Sequence, residues 1–194
     1  MSHYFIENPD ILTKERKLSL EIFGYKFQFL SNNGLFSHDK IDDASLLLLE
    51  KMPPLEEGST FLDLGCGYGL LGIVLSKKHN LALTLTDINS LALDYASKNA
   101  KLNNVTAEAI HSDSFANIKD SFQNITLNPP IHAGKETMYK MYEEAAQHLL
   151  PGGSLYVVIQ KKHGAESTGK KLNEIFRQVN LLHKKKGYFI FQCC

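Results

Sequence analysis

Short apolar runs separated by longer mixed segments recur along the chain and predict alternating strands and helices. Compact runs rich in Leu, Ile, Val and Thr are typical of strands buried on both faces. They fall at residues 60–64, 81–87, 105–113, 124–128 and 154–160. The mixed segments favour helices at about 72–79, at 90–102, from the fourth run to residue 150, where Pro-Gly-Gly follows, and at 168–179. Strands that alternate with helices indicate a mostly parallel, doubly wound sheet covered on both faces.

The two ends of the chain depart from this alternation. Residues 18–30 alternate between apolar and polar positions and predict a β-hairpin around Gly24. A helix is predicted at 43–52, because two prolines follow it and cannot continue a helix. Residues 180–194 predict two strands around a Lys-Lys-Gly turn. These two strands are too close for a crossover helix, so they should be antiparallel and form one edge of the sheet.

Length and composition limit the class of protein. The 194 residues predict a single domain at 1–194, divided into an N-terminal extension with the hairpin (1–42) and a catalytic core (43–194). Hydrophobic residues make up 43% and charged residues 22%, as in ordinary globular proteins. Its longest apolar runs are too short to span a membrane, and the first ten residues lack the apolar core of a signal peptide. The sequence therefore predicts a cytoplasmic protein without a membrane partner.

The cysteines and histidines give no support for a disulfide or a metal site. Cys66 lies in a glycine-rich loop, and Cys193 and Cys194 are neighbours, so the three do not form a disulfide framework. The eight histidines are scattered and no Cys-x2-Cys pair is present. No metal is predicted.

The net charge is zero, but the charges are unevenly distributed. From Asn128 onward there are ten Lys and Arg against five Asp and Glu, while the preceding part carries eleven against sixteen. The basic residues cluster at 161–163, 170–171 and 184–186. These clusters indicate either solvated turns and helix faces or a rim that contacts phosphates.

The first strand of the core leads into the loop "DLGCGYG" at 63–69. Gly65 and Gly67 allow a tight turn and the approach of a ligand, while Gly69 opens the next helix and allows close helix–strand packing. Asp63 can accept a hydrogen bond from a ligand's ammonium group. The spacing is G-x-G-x-G and not the dinucleotide G-x-G-x-x-G, so a pyrophosphate cradle is not favoured. Cys66 is assigned to the cofactor site as part of this loop, and as a small residue it suits packing between two glycines better than nucleophilic catalysis.

Acidic residues end the next two strands of the predicted sheet. Asp87 can accept hydrogen bonds from both ribose hydroxyls, or it can cap the following helix. Asp113 can accept from an adenine amino group, or it can be an ordinary turn residue. Ile88 and Phe115 are available beside the ring, and Ser114 is assigned to the same pocket. Together these strand ends predict a site for S-adenosylmethionine rather than NAD.

The fourth strand ends at Asn128, which two prolines follow. An exocyclic amino nitrogen is hard to methylate because its lone pair is delocalised into the base. The side-chain oxygen of Asn128 and the carbonyl of Pro129 can accept from both N–H groups and direct the lone pair at a methyl donor. The rigidity of Pro129 and Pro130 fixes these acceptors in advance. Asn128, Pro129 and Pro130 are therefore the predicted catalytic residues, and Asn128 is also assigned to the cofactor site.

The ordered motifs "DLGCGYG", "TDIN", "SDSF", "NPPIHAGK" and "PGGSLYVVIQKKHGA" resemble the small-domain methyltransferase family (MTS). This family includes bacterial enzymes that methylate the guanine amino group in small-subunit ribosomal RNA. The resemblance extends upstream to "HYFIENP" and "GLFSHDKID" and is to the single-domain form. It implies a Rossmann-like class I methyltransferase fold with a seven-stranded sheet, S-adenosylmethionine as cofactor, and ribosomal RNA or the small ribosomal subunit as partner. The sequence makes no prediction of the oligomeric state.

The residues after Asn-Pro-Pro decide the substrate. Many amino-methylating relatives have Tyr, Phe or Trp at this position, and this chain has Ile131. The predicted substrate-binding residues are therefore Ile131, His132, Phe36 from the upstream segment, and Lys135, for which a phosphate partner is expected. His132 can equally be a loop histidine, and Lys135 can simply begin a helix. Guanine is the predicted target, with adenine or a protein glutamine as alternatives, and a non-catalytic cofactor- or RNA-binding module as a third.

Overall fold

The computed structural model describes residues 15–35, 39–130, 134–185 and 187–194. Within these ranges the chain forms a β-hairpin and an α/β core, in the order that the apolar pattern predicts. The elements are β1 (Glu15–Ile22), β2 (Tyr25–Asn32), α1 (Asp43–Lys51), β3 (Thr60–Leu64), α2 (Leu70–His79), β4 (Ala82–Asp87), α3 (Ser90–Leu102), β5 (Ala107–His111), β6 (Phe122–Leu127), α4 (Lys135–Gln147), β7 (Leu149–Gln160), a 3-10 helix (Lys161–His163), α5 (Ala165–Ile175), β8 (Val179–Lys185) and β9 (Tyr188–Cys193).

The central sheet of the described residues has seven strands in the order β5-β4-β3-β6-β7-β9-β8. The first five are parallel, and β9 is antiparallel to both β7 and β8. The predicted fold class is therefore confirmed. From β3 the chain winds outward in one direction through β4 and β5, then returns to β6 and winds in the other. The switch point lies between β3 and β6, and ligands of such sheets bind where the strands end (the carboxyl edge).

Two hydrophobic layers cover the sheet because successive strand residues point to opposite faces. In β3, Phe61 belongs to the layer with α1, α2 and α3, whereas Leu62 and Leu64 belong to the layer with α4 and α5. All three side chains are at most 1% exposed. Each face of β3 thus supports one layer, which holds its carboxyl end in a fixed position.

The hairpin forms its own two-stranded sheet and docks on α3 through two asparagine side chains. Asn99 Oδ1 accepts from the Leu30 backbone N–H at 2.7 Å, and Asn99 Nδ2 donates to the Leu30 carbonyl at 2.9 Å. One helical turn later, Asn103 repeats the pattern with the backbone of Gln28, at 3.1 and 2.8 Å. These amides take the place of a neighbouring strand and satisfy the outer edge of β2. The predicted division at 42/43 stays a prediction.

Two element boundaries were predicted wrongly. The helix expected to reach residue 150 ends at Gln147, and β7 begins at Leu149 and continues through Pro-Gly-Gly. The reason is close packing at Gly153, where an added Cβ would lie 2.9 Å from the Gln123 carbonyl oxygen. The last helix begins at Ala165 and not 168, directly after Gly164, whose φ of +92° ends the 3-10 helix.

Candidate cofactor and substrate site

The loop between β3 and α2 has the conformation that its glycines allow. Gly65 and Gly67 have φ values of +68° and +55°, which favour glycine, and a Cβ on either would meet no described atom within 4 Å. The backbone N–H of Cys66 donates to the Thr86 carbonyl at 2.8 Å, which ties the loop to β4. Open space therefore borders a loop that is fixed at the carboxyl edge, as a bound cofactor requires.

Gly69 serves a different contact from the predicted one. It has a φ of +90°, and a Cβ there would lie 3.2 Å from Ala96 Cβ on α3 and 2.9 Å from Ile73 Cδ1. The close approach is therefore between α2 and α3. The glycine that brings α2 onto the sheet is Gly72, where a Cβ would lie 2.8 Å from Leu85 Cδ2. Sequence reasoning missed Gly72, although a glycine inside a helical run is a recognised sign of close packing.

Asp63 lies beneath the glycine loop and is 2% exposed. Its Oδ2 accepts from the Gly72 backbone N–H at 2.8 Å, and its Oδ1 accepts from Thr126 Oγ1 at 3.0 Å. Burial raises the pKa of this carboxyl to about 6, and the two hydrogen bonds oppose the shift. Asp63 thus joins β3 to α2 and β6, and its contact with a ligand's ammonium group stays a prediction.

Asp87 joins the glycine loop to the entrance of α3. Its Oδ2 accepts from the Gly67 N–H at 2.8 Å and its Oδ1 from the Asn89 N–H at 2.9 Å. Burial raises its pKa, and these backbone hydrogen bonds oppose the rise. The cap of α3 is Asn89, whose side chain accepts from the N–H groups of Leu91 and Ala92. The alternative in which Asp87 caps this helix is therefore wrong, and the ribose contact stays a prediction.

The third strand end is more open. Asp113 is exposed, and Ile88 is 37% exposed, as a surface beside a ligand ring must be. Phe115 is only 5% exposed and stacks on the His148 ring at 4.5 Å, so it belongs to the core and is not available as a ring neighbour. The Ser114 hydroxyl donates to Glu144 Oε2 at 2.5 Å, on α4. The cofactor roles of Asp113, Ser114 and Ile88 stay predictions.

Asn128 is held at the end of β6 by the first turn of α1. Its Nδ2 donates to Asp42 Oδ2 at 3.0 Å and to Ser45 Oγ at 3.2 Å. Asp42 is the N-cap of α1, and the same Oδ2 accepts from Ser45 N at 2.8 Å and Ser45 Oγ at 2.9 Å. An ionised carboxylate only accepts hydrogen bonds, so the amide nitrogen must face Asp42. The two acceptors lie 2.9 Å apart and share the same side of the amide nitrogen, so the nitrogen is turned towards α1 and Oδ1 is the side-chain atom that can accept from a ligand.

Of the other predicted catalytic and substrate-binding residues, the structure describes three. Pro129 is buried and Pro130 is exposed. Lys135 is the exposed first residue of α4, and its Cε lies 3.7 Å from the position of a Cβ on Gly164. Phe36, Ile131 and His132 lie outside the described residues, and their roles stay predictions.

The Cys66 side chain fits the predicted packing role. Burial raises the pKa of its thiol well above the ordinary value, and the charges of Asp63 and Asp87 raise it further. A thiol with a raised pKa stays protonated and is a poor nucleophile. In the described ranges no group of three His, Cys, Asp or Glu residues could hold a metal ion. No helix in the same part of the chain is long and apolar enough to cross a membrane.

Comparisons with known proteins agree with the class that the fold and the strand ends define. The family model "Methyltransferase small domain" matches residues 26–192. The Bacillus subtilis protein YbxB, which is uncharacterized, is 37% identical over 194 residues, covering 98% of this chain and 96% of YbxB. Ribosomal RNA small subunit methyltransferase C of Pseudomonas aeruginosa is 34% identical over 155 residues, covering 77% of this chain and 46% of that protein.

A solved structure gives the same result. The T. thermophilus 16S rRNA N2 methyltransferase RsmC, in complex with AdoMet and guanosine, superposes with a TM-score of 0.84 at 29% identity. The match covers 92% of this chain and 50% of that one, so the chain spans about half the length of these ribosomal RNA methyltransferases. The chain belongs to the methyltransferase small domain family. This family depends on S-adenosylmethionine, which confirms the predicted cofactor.

Proposed function

We propose that this methyltransferase transfers a methyl group to an exocyclic amino nitrogen, namely N2 of a guanine in small-subunit ribosomal RNA. The orientation of Asn128 carries this proposal. Because the amide nitrogen is turned towards Asp42 and Ser45, Asn128 presents its oxygen to a substrate as a hydrogen-bond acceptor. An amino group, which has two hydrogens to donate, is the complementary substrate.

The residues around the glycine loop fit the cofactor. The open space beside Gly65 and Gly67 admits a ligand against the backbone, and Asp87, which closes β4 at the same edge, retains lone pairs for ribose hydroxyls. Ile88, Asp113 and the loop around Cys66 complete the proposed cofactor site. When bound, S-adenosylmethionine supplies an electrophilic methyl group on its sulfonium.

The chain's own contribution to the transfer is preorganisation. Asn128 Oδ1 and the Pro129 carbonyl accept from the two N–H groups of the target nitrogen, which favours a tetrahedral nitrogen with a directed lone pair. Pro129 and Pro130 restrict the backbone, so these acceptors need little reorganisation during the reaction. No strong general base is required, because the nitrogen can release a proton to water after the transfer.

The names of the relatives support guanine in ribosomal RNA as the target. The T. thermophilus structure contains guanosine, and the Pseudomonas protein is named for the small-subunit RNA. A ribosomal substrate would also place the protein in the cytoplasm, as the sequence predicts.

The test uses purified protein, isotopically labelled S-adenosylmethionine, and either small ribosomal subunits or deproteinised ribosomal RNA. Nucleoside mass spectrometry should find N2-methylguanosine. Asn128→Ala should abolish transfer while calorimetry finds cofactor affinity within about twofold of wild type, and Asn173→Ala, an exposed asparagine on α5, is the control. Methyladenosine or methylglutamine as the product would reassign the substrate, and absence of transfer to either RNA preparation would refute the proposal.

A further inference from the structure

The carboxyl end of β7 and the start of β9 border an open depression at the same edge of the sheet as the proposed active site. The Lys161 backbone N–H donates to the Gly187 carbonyl at 2.7 Å, and Gln160 Nε2 donates to the Tyr188 hydroxyl at 2.9 Å. These bonds fix the 3-10 helix against the turn. Lys162 completes the lining of the depression, whose volume is about 610 Å³.

Lysines surround this depression. Lys161 and Lys162 are exposed, and Lys185, also exposed, is the strand partner of Tyr188. The adjoining sequence segments 156–165 and 175–194 contain no Asp or Glu. Lys135 extends the cationic area towards Asn128, since its side chain reaches Gly164 at the end of the 3-10 helix. Lys135, Lys161, Lys162 and Lys185 are called the basic surface below.

The predicted basic cluster at residues 170–171 is not part of the basic surface. Lys171 Nζ lies 2.7 Å from Glu143 Oε1 and 3.8 Å from Glu174 Oε2, so its charge is balanced within the protein. The uneven charge of the chain therefore does not spread over the whole C-terminal part. Lys161, Lys162 and Lys185 lie together instead at the carboxyl edge, around the end of β7.

The basic surface lies on the side of Asn128 away from the glycine loop. Neighbouring strands are about 4.8 Å apart, and β7 continues three residues of about 3.3 Å each beyond Val157, the partner of Leu127. The end of β7 is therefore about 11 Å and the start of β9 about 14 Å from the end of β6. On the other side of β6 stand β3 and β4, which carry the proposed cofactor residues. A nucleotide whose base reaches Asn128 would thus have its neighbouring phosphates within reach of the basic surface.

We propose that the basic surface binds the phosphate backbone of the RNA next to the methylated nucleotide; this inference rests on the proposed function. Several lysines on an open surface suit a polyanion with regularly repeated charges better than a single anion. Each lysine–phosphate contact releases a condensed counterion, so the affinity should depend on salt. The surface sets position and affinity, and the base is recognised at Asn128.

The experiment compares wild type with Lys161→Ala/Lys162→Ala. The control, Lys101→Ala/Lys119→Ala, changes the charge equally at the opposite edge of the sheet, where α3 ends and β6 begins. Binding of a single-stranded oligoribonucleotide containing guanine is measured without cofactor over a salt series. If each lysine contacts one phosphate, the slope of log K against log salt should fall in magnitude by about 1.4, since each contact contributes about 0.7. KM for RNA should rise while kcat at saturation and the melting temperature stay constant.

The outcomes separate this inference from the proposed function. A salt slope equal to that of wild type overturns the basic surface, even if methyl transfer is observed. A reduced slope without methyl transfer supports the surface and contradicts the proposed function. Equally tight and equally lysine-dependent binding of a polyglutamate peptide would replace RNA with an acidic protein partner and overturn the inference.

Discussion

The contact between Asn128 and Asp42 can be tested by exchanging the two side-chain types. Asn128→Asp replaces the Nδ2 donor with a carboxylate oxygen at a position 3.0 Å from Asp42 Oδ2. The hydrogen bond to Ser45 Oγ is left without its donor in the same step. The new side chain still presents an acceptor to the substrate, and the neutral Asp42 variant described below separates the loss of support from the added charge.

The size of the effect follows from Coulomb's law. Two unit charges 3.0 Å apart repel by about 5.5 kcal/mol at an effective dielectric constant of 20 and by about 1.4 kcal/mol in water. Asn128 and Asp42 are both partly exposed, so the repulsion should fall between these limits. It can be relieved by moving residue 128 out of place or by protonating one carboxyl, and the latter costs about 4 kcal/mol at pH 7 for a side chain with an ordinary pKa of about 3.9. The expected loss of transfer rate is therefore at least about tenfold.

Asp42→Asn in the same protein should remove the charge repulsion. Asparagine at residue 42 is uncharged, and its oxygen can still accept from the Ser45 backbone N–H, since Asn and Asp are equally good N-caps. That same oxygen faces residue 128, so the hydrogen bond is not re-formed. The double variant should therefore transfer methyl groups faster than Asn128→Asp alone and more slowly than wild type. Initial rates with saturating RNA, cofactor affinity by calorimetry and thermal melting should be measured on all four proteins.

Asp43→Asn is the matched control. Asp43 is next to the cap and exposed, and it forms an ion pair with Lys40 at 3.6 Å, so its neutralisation should leave the rate unchanged. The reasoning fails if the double variant is no faster than Asn128→Asp. It also fails if Asn128→Asp alone retains the wild-type rate.

Two further predictions concern buried polar side chains. Asn99→Leu removes hydrogen bonds to the Leu30 backbone and to the Tyr68 carbonyl. It should therefore lower the free energy of unfolding, measured by urea titration, by about 2–4 kcal/mol. An unchanged unfolding midpoint would contradict the role of Asn99 in docking the hairpin. The Asp63 carboxyl has a pKa of about 6 in the folded protein, above its ordinary value of 3.8. Between these pH values the folded state binds a proton that the unfolded state has released, so the free energy of unfolding falls as the pH rises towards 6 and is constant above it. Between pH 4 and pH 7.5, wild type should lose about 2 kcal/mol more than Asp63→Asn, and parallel pH profiles would refute this.

The fold could be predicted because it depends on local patterns. Strands buried on both faces give compact apolar runs, and the residues that follow them must lie at the carboxyl edge of a parallel sheet. This is why the sequence alone predicts that Asp63, Asp87 and Asn128 lie at strand ends. Pro151-Gly152-Gly153 was misjudged for the opposite reason. Its composition is typical of a turn, and only the close approach of Gln123 makes the glycine necessary inside a strand.

The support of the site could not be predicted, because it depends on contacts between distant parts of the chain. Asp42 and Asn128 are 86 residues apart, and the sequence around Asp42 indicates only a helix cap. Asn99 and Asn103 have the spacing of one helical turn, which is common on solvent-facing helix surfaces. Nothing in that spacing reveals that their amides bind a strand.

Tyr68 joins the glycine loop to the hairpin and to α3. Its carbonyl accepts from Asn99 Nδ2 at 2.9 Å, and its ring meets Phe29 of the hairpin edge-on at 5.7 Å. The proposed acceptor at Asn128 is held by different contacts, namely those with Asp42 and Ser45 at the start of α1. The proposed transfer requires a methyl donor and a target nitrogen to meet within a narrow range of distance and angle, so it depends on both sets of contacts.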